Sequence, residues 1–209
     1  MGSEMCIRDR LRVHAQNLME AGSEGERRAS LEHLIAGVDR TSRLVNQLLT
    51  MARIEPKAGA QPPVPVDLAA TVRDSLVQMT PWLLSKDLEL VFDVSDNIGL
   101  VRVDPAAIDI ALNNLVTNAA NFSPRHGVIT VKLVEKSKGY ELSVEDEGPG
   151  IDEQDRDRLF ERFYSRANDQ GAGLGLTIVK AIAVRLGGQI KLENRIAGGL
   201  RATLEICCV

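Results

Sequence analysis

Apolar residues recur at alternating spacings of three and four between residues 26 and 55, and this seam constrains the fold more than any other feature. A sustained pattern of this kind predicts one long helix that packs against other helices. The seam consists of Leu31, Leu34, Val38, Thr41, Val45, Leu48 and Ala52. Leu11 and Leu18 repeat the seam on a shorter stretch, and residues 21–25 (AGSEG) can reverse the chain, so we predict a helical hairpin over residues 11–56.

A lone hairpin buries little apolar surface. We therefore expect a second hairpin, from another copy of the chain, to complete a four-helix bundle around a homodimer axis. The alternative is a hairpin that packs on the C-terminal part of its own chain.

Proline is concentrated in residues 55–65 (EPKAGAQPPVP), which show no apolar periodicity. We interpret residues 57–65 as a semi-rigid linker and residues 66–209 as a second domain. In that domain helices are predicted over residues 67–84, 105–122 and from the glycines at 173 and 175, and strands over 88–94, 100–103, 128–134, 140–146, 190–193 and 200–206. This order predicts an α+β sandwich with helices on one face of a mixed sheet.

Composition excludes several classes of protein. The net charge is −4 with acids and bases interspersed, so neither nucleic acid nor an anionic membrane is an expected partner. No apolar run in the sequence approaches the roughly 18 residues that cross a bilayer. The three cysteines form no C-x-x-C pair, which fits a reducing compartment, and the three histidines lack metal-ligand spacing. We therefore expect a soluble, cytoplasmic chain.

Three asparagines share one face of the helix predicted over residues 105–122. Asn114 and Asn118 are four residues apart, and Asn121 follows three residues later. A single such Asn is more often a cap or a core cross-link. Mg²⁺, however, keeps several waters and is usually held by one or two protein oxygens plus phosphate oxygens, so an Asn carbonyl suffices as a ligand.

Two glycine-containing segments flank a polar stretch rich in Asp and Arg. Asp146-Glu-Gly148-Pro-Gly150 ends a predicted strand, where an Asp can accept a hydrogen bond from an adenine amino group and glycines let a flat base approach the backbone. Residues 171–176 (GAGLGL) run into a helix whose first amides suit a triphosphate. Neither segment has the spacing of a Rossmann fingerprint or a P-loop. Taken alone, the first is more often an ordinary turn.

The order and spacing of these segments resemble the ATP-binding domain of sensor histidine kinases, which has the Bergerat-type GHKL fold. The resemblance covers nearly everything after residue 10. Residues 114–124 resemble the family's N box, 146–150 its first glycine box, 159–164 its F box and 171–176 its second glycine box, while Gly198-Gly199 resembles a third. Each motif alone is weak, whereas four in order are highly specific.

The resemblance implies a Mg-ATP site. Asn118 would bind Mg²⁺, Asn114 would support the phosphates as its catalytic partner, and Asp146 would hydrogen-bond adenine. The other residues placed around the nucleotide are Asn121, Phe122, Gly148, Gly150, Ile151, Arg162, Gly171, Gly173, Leu174, Gly175 and Leu176. The segment between the glycine boxes would form a mobile lid, whose Arg162 and Arg166 either reach phosphates or are solvated charges.

Two positions depart from the family pattern. Asn121 stands where the family has Lys or Arg, so a charge that stabilises the leaving phosphates is either absent or supplied by the lid. The phosphate-accepting His of the family's H-E-x-R-[ST]-P-L motif would fall at Gly2. Residues 1–10 (MGSEMCIRDR) match nothing in that motif, and we interpret them as a foreign leader. His14 is no substitute, because it lacks the following Glu and the downstream Pro.

The resemblance implies an ATP-dependent protein-histidine kinase of a two-component system, which transfers the γ-phosphate to a His that this chain lacks and then to an Asp of a response regulator. Gyrase and the ninety-kilodalton heat-shock chaperone share the fold but have a Glu base where this chain has Asn114. The alternative is a non-catalytic ATP-binding and dimerisation module; an anti-sigma-factor serine kinase would leave the hairpin unexplained. The parent protein would be anchored in a bacterial membrane.

Overall fold

The structure, a computed structural model, describes residues 12–13, 15–19, 22–54, 63–95, 98–164 and 173–207, without the side chains of residues 39–40, 42–44 and 46–54. Backbone contacts divide the chain into two compact units, residues 1–50 and 51–209. The leader predicted over residues 1–10 lies outside the described residues.

The N-terminal unit is helical. Residues 12–13 and 15–19 are helical, and the long helix α1 spans Glu24–Ile54, close to the predicted bounds. A capping box begins α1: the Ser23 hydroxyl accepts a hydrogen bond from the Glu26 N–H, and the Glu26 carboxylate accepts one from the Ser23 N–H, both at 3.2 Å. On the seam, Leu31, Val38 and Val45 are 46%, 47% and 48% exposed. About half of the surface of these three residues is therefore left in contact with solvent.

The second unit contains a two-stranded ribbon and a five-stranded sheet. In the ribbon, β1 (Val64–Asp67) pairs antiparallel with β3 (Leu100–Val103). The sheet has the order β2 (Glu89–Val94), β4 (Val128–Lys136), β5 (Gly139–Glu145), β7 (Leu200–Cys207), β6 (Ile190–Asn194). The pair β2–β4 is parallel and the other pairs are antiparallel, so the predicted mixed sheet is confirmed.

Three helices cover one face of this sheet: α2 (Leu68–Leu84), α3 (Pro105–Phe122) and α4 (Gly175–Arg185). Asp104 caps α3 by accepting the Ala106 N–H at 3.0 Å, and Pro105 occupies the first helical position. The second oxygen of Asp104 lies 2.8 Å from the Arg185 guanidinium. This ion pair joins the start of α3 to the end of α4.

The core follows from strand alternation. In β4, Ile129, Val131 and Leu133 are fully buried, while the residues between them are only partly buried. Helix α3 contributes buried residues at helical spacing, among them Ile108, Leu112 and residues 115–116. Because the core lies between sheet and helices, the opposite face of the sheet carries polar side chains. The predicted α+β sandwich is thus observed.

Strand β1 is the element that the sequence pattern did not predict. The predicted linker ended at Pro65, whereas Val64 and Pro65 lie opposite Val103 and Arg102 in the ribbon. The four residues of β1 include a proline and show no alternation, so no local pattern predicts a strand there. Their partner strand, β3, is far along the chain. Among the helices in the described part of the chain, none combines the length and apolar character required to cross a membrane.

Candidate functional site

Helix α3 brings two of the predicted asparagines against the start of α4. A Cβ added to Gly175 would lie 3.1 Å from the Asn114 Oδ1 and 3.7 Å from both polar atoms of the Asn118 amide. Asn114 donates its Nδ2 to the Ile110 carbonyl at 2.8 Å, which leaves Oδ1 facing Gly175. The Asn118 amide makes no hydrogen bond within the described part of the chain. The segments that resemble the N box and the second glycine box therefore meet where α3 contacts the start of α4.

The start of α4 has main-chain donors that lack a partner within the helix. Leu174 precedes the helix, is 1% exposed, and provides no side-chain cap. The first helical hydrogen bond recorded there is from the Ile178 N–H to the Leu174 carbonyl. The N–H groups of the first turn, beginning at Gly175, point out of the helix end, where they and the positive end of the helix dipole favour an anion. Leu176 is half-buried and packs against the core.

The predicted F box packs on this helix start. The Phe163 N–H donates to the Gly173 carbonyl at 3.0 Å, and the Thr177 hydroxyl donates to the Phe160 carbonyl at 3.2 Å. Gly173 has a φ of +66°, and a Cβ there would lie 2.6 Å from main-chain atoms of residues 163 and 164. Arg162 is exposed. Gly171 and Arg166 lie outside the described residues.

Asp146 is held at the end of β5 almost entirely by main-chain groups. Its side chain is 6% exposed, and its Oδ1 accepts the N–H groups of Gly148 at 2.8 Å and Leu200 at 3.1 Å. Its own N–H donates to the Leu200 carbonyl at 2.9 Å. Among the described residues, none donates a hydrogen bond to Oδ2. One carboxylate oxygen is thus fixed, and the other is left for a ligand.

Two adjacent carboxylates have opposite pKa shifts. Burial raises the pKa of Asp146 above its ordinary value, and the Gly148 and Leu200 N–H groups and the Arg195 charge only partly oppose this effect. Burial also favours a higher pKa for Glu145, but hydrogen bonds from Lys132 and Arg201 outweigh it and lower the pKa. Ionised Glu145 stabilises the fold above its ordinary pKa, and acid removes this contribution, whereas ionising Asp146 costs folding free energy as the pH rises.

The first glycine box is packed between α3 and the turn that follows β6. A Cβ on Gly148 would lie 2.8 Å from the Phe122 carbonyl oxygen, which places this glycine at the end of α3. Gly150 has a φ of +71° and allows the chain to turn. Ile151 and Asn194 exchange two hydrogen bonds: Asn194 Oδ1 accepts the Ile151 N–H at 2.8 Å, and Asn194 Nδ2 donates to the Ile151 carbonyl at 2.7 Å.

A cation stands beside Asn121, although the sequence has none at that position. The Lys86 ammonium, from the turn after α2, donates to the Asn121 Oδ1 at 3.4 Å and lies 5.1 Å from the centre of the Trp82 ring. Phe122, the next residue, is 43% exposed. The positive charge at this end of the asparagine row is therefore supplied by the turn after α2.

Sequence reasoning missed three side chains that shape this region: Lys86, Asn194 and Arg195. The signal for the last two was present, since a polar pair directly after a strand and before two glycines marks a structured turn. Arg195 donates to the Asp146 carbonyl at 2.5 Å. No local pattern indicates Lys86, because its partner lies 35 residues away.

The comparisons with known proteins agree with this geometry. The family described as histidine kinase-, DNA gyrase B- and HSP90-like ATPases matches residues 103–208. The swarming motility regulation sensor protein RssA of Serratia marcescens is 32% identical over 180 residues, which cover 85% of this chain and 38% of RssA. The chain belongs to the sensor histidine kinases. It spans about two fifths of the length of this curated relative.

Solved structures of other proteins share this fold. The histidine kinase AdeS of Acinetobacter baumannii matches with a TM-score of 0.75 and 26% identity, over 97% of this chain and 95% of the AdeS chain. Full-length ShkA, crystallised in complex with AMPPNP, matches with a TM-score of 0.72 and 25% identity, over 98% of this chain and 44% of ShkA. This histidine kinase chain therefore contains a GHKL ATP-binding domain.

Two neighbouring glycines of the histidine kinase domain provide a matched test of the packing around Asp146. Gly198 and Gly199 have φ values of +91° and +90°, but a Cβ on Gly199 would lie 1.9 Å from the Asp146 carbonyl oxygen, whereas nothing lies within 4 Å of one on Gly198. We expect Gly198→Ala to cost about 1 kcal/mol of backbone strain. Gly199→Ala should cost about 1–3 kcal/mol more through overpacking. Urea denaturation measures both, and equal losses would contradict this packing.

Proposed function

We propose that this chain binds Mg-ATP along α3 and belongs to a protein-histidine kinase that transfers the γ-phosphate to a His and then to an Asp of a response regulator. The observation that carries the proposal is the Asp146 carboxylate. It is buried, one of its oxygens is fixed by two main-chain N–H groups, and the other has no donor among the described residues. That second oxygen is not fully enclosed, so a ligand can reach it and donate the hydrogen bond that it lacks.

The adenine end of the site lies around Asp146. Its Oδ2 suits the exocyclic amino group of adenine, which can donate one hydrogen bond to a carboxylate. Gly148, Gly150 and Ile151 would form the adjacent wall. A Cβ at Gly148 would meet the Phe122 carbonyl, and one at Gly150 would meet the Asn194 side chain, so the two glycines allow this wall to pack tightly. The Phe122 backbone closes this end from α3.

The phosphate end lies where Asn114, Asn118 and Gly175 meet. The first N–H groups of α4, together with Gly173 and Leu174, suit phosphate oxygens. The Asn118 amide has no hydrogen-bond partner in the described part of the chain, so its oxygen can serve as a metal ligand, which fits a Mg²⁺ ion held by one protein group and phosphates. The ion would offset phosphate charge, as would Lys86 beside Asn121.

Asn114 favours transfer to a protein acceptor over hydrolysis. Its Oδ1 lies beside Gly175, at the end of the groove where the phosphates are proposed to lie. An amide cannot remove a proton from water, so the chain's own residues there bind and orient the nucleotide without activating a water molecule. The His acceptor, the regulator and the membrane anchoring of the parent protein follow from the family.

A specific observation favours a second candidate, a non-catalytic ATP-binding and dimerisation module. By the resemblance, the family's acceptor position would fall at residue 2, which is Gly rather than His. Both candidates share the nucleotide site and differ only in whether a phosphoryl group is transferred.

Nucleotide binding should depend on Asp146. We expect Asp146→Asn to weaken Mg-ATP binding by about 1–3 kcal/mol. The substitution removes the negative charge, and it puts an NH₂ donor in place of the oxygen that would accept the adenine amino group. The free protein should keep its stability, since the Asn oxygen still accepts the two main-chain N–H groups. Glu147→Gln removes the same charge from the next, exposed residue and is the control. Calorimetry measures both, and equal affinities for wild type and Asp146→Asn would rule out the assignment.

Dimerisation should depend on the α1 seam, in which Leu31, Val38 and Val45 are half exposed in the single chain. We expect Val45→Asp to be monomeric by light scattering, because burying an unpaired charge in the bundle costs several kcal/mol. Ala36→Asp adds the same charge on the opposite side of α1 and should remain dimeric. A wild-type chain that is already monomeric at high concentration would refute the bundle.

Phosphoryl transfer should require a His that the given sequence lacks. With γ-labelled ATP, we expect no acid-labile label on this chain, because transfer needs a nucleophile held in line with the γ-phosphate and the family's acceptor position would fall at Gly2. An extended chain, in which the family's native segment with its His replaces residues 1–10, should become labelled, and Asn118→Ala should abolish that label. Label on His14 or His33 of the given chain would contradict this expectation. Acid-stable label would instead indicate a serine kinase, and an unlabelled extended chain would favour the binding module.

A further inference from the structure

One buried carboxylate on the helix-free face of the sheet is surrounded by three cations. Glu145 is 4% exposed. Its Oε1 lies 2.8 Å from the Arg201 Nε and 3.1 Å from the Lys132 Nζ, and its Oε2 lies 3.5 Å from the Arg195 Nε. The cations come from β4, from β7 and from the turn between β6 and β7. Glu145 directly precedes Asp146, so the cluster lies behind the proposed adenine acceptor.

Arg195 differs from the other two cations because it also contacts the main chain of Asp146. Its Nη1 donates to the Asp146 carbonyl at 2.5 Å while its Nε faces Glu145. A guanidinium can serve two acceptors in this way because its donors form a rigid fork. Lys132 and Arg201 have no recorded contact with Asp146. The guanidinium of Arg195 therefore joins two consecutive residues of the chain.

The turn that carries Arg195 is itself closed over Asp146. The Arg195 N–H donates to the Gly199 carbonyl at 2.9 Å, and Gly199 packs so closely on the Asp146 carbonyl that a Cβ would not fit. The next residue, Leu200, supplies one of the two N–H groups on the Asp146 Oδ1. Both peptide groups that flank the Asp146 Cα are thus fixed by this turn, which determines the direction of its side chain.

We propose that Arg195 is a positioning residue for nucleotide binding: held by Glu145, it fixes the Asp146 main chain so that the carboxylate faces the adenine base. The inference rests on the proposed function and deepens it. It also accounts for a buried ion cluster outside the groove, since without Glu145 the guanidinium would have no anion to orient it. The charged groups near Asp146 are Glu145, Glu147, Lys132, Arg195 and Arg201.

Arg195→Met and Arg201→Met form a matched pair for the test. Each removes one cation from Glu145, but only the first removes the hydrogen bond to the Asp146 carbonyl. We expect Arg195→Met to weaken Mg-ATP binding about five- to tenfold and Arg201→Met less than twofold, by calorimetry. Carbon-detected NMR of the nucleotide-free protein should show a higher pKa for Asp146 in Arg195→Met than in Arg201→Met. Equal effects of the two substitutions on both quantities would overturn the proposal.

A second variant keeps the test decisive if Arg195→Met unfolds. Arg195→Lys retains the charge beside Glu145, but one ammonium group cannot reproduce the fork, so we expect binding to weaken without loss of folding. Wild-type affinity in Arg195→Lys would overturn the proposal. Failure of the proposed function has a different signature: Asp146→Asn would then bind Mg-ATP as wild type does. Weak binding by Asp146→Asn with unaffected binding by both Arg195 variants would reject this inference alone.

Discussion

A carboxylate buried at the end of a strand, with one oxygen saturated by main-chain donors, is the constraint on which the rest of the ATP-binding domain depends. Burying Asp146 disfavours its charge, and only the two N–H groups and a nearby guanidinium offset that cost. One of the donors, Leu200, belongs to a strand 54 residues further on. The sheet register of β5 and β7, the close packing of Gly199 and the geometry of the carboxylate must therefore form together.

Helix α3 connects the two ends of the proposed nucleotide groove. From Asn114 to Phe122 it rises about 12 Å, at 1.5 Å per residue, while its opposite face is buried in the core. The row of asparagines is neutral, so it neither repels phosphates nor adds buried charge. The cations stand instead at the margins: Lys86 beside Asn121, and Arg195 behind Asp146. Under the proposed function, the cations at the margins attract the polyanion, while the α3 face of the groove stays uncharged.

The sequence predicted elements whose signals are local, and it missed those whose partners are distant. Helix α3 has the predicted bounds because a capping Asp, a proline and helical spacing lie within one short segment. The β4–β5 hairpin was also predicted, from its turn. Strand β1 was not, because β3, which pairs with it, lies beyond a whole helix. Arg195 and Lys86 were not predicted as site residues for the same reason: their partners are 49 and 35 positions away. Motif order predicted the groove, but not the side chains that surround it.

The amide at Asn114 also determines where control of the reaction must lie. A domain that binds and orients ATP but offers no base at that position leaves activation to the nucleophile itself, under the proposed function. Water is a poor nucleophile without a base, whereas a neutral imidazole needs no such help. Which nucleophile reaches the γ-phosphate then decides between transfer and hydrolysis. A signal that alters the presentation of the acceptor His would regulate the kinase without changing its affinity for ATP.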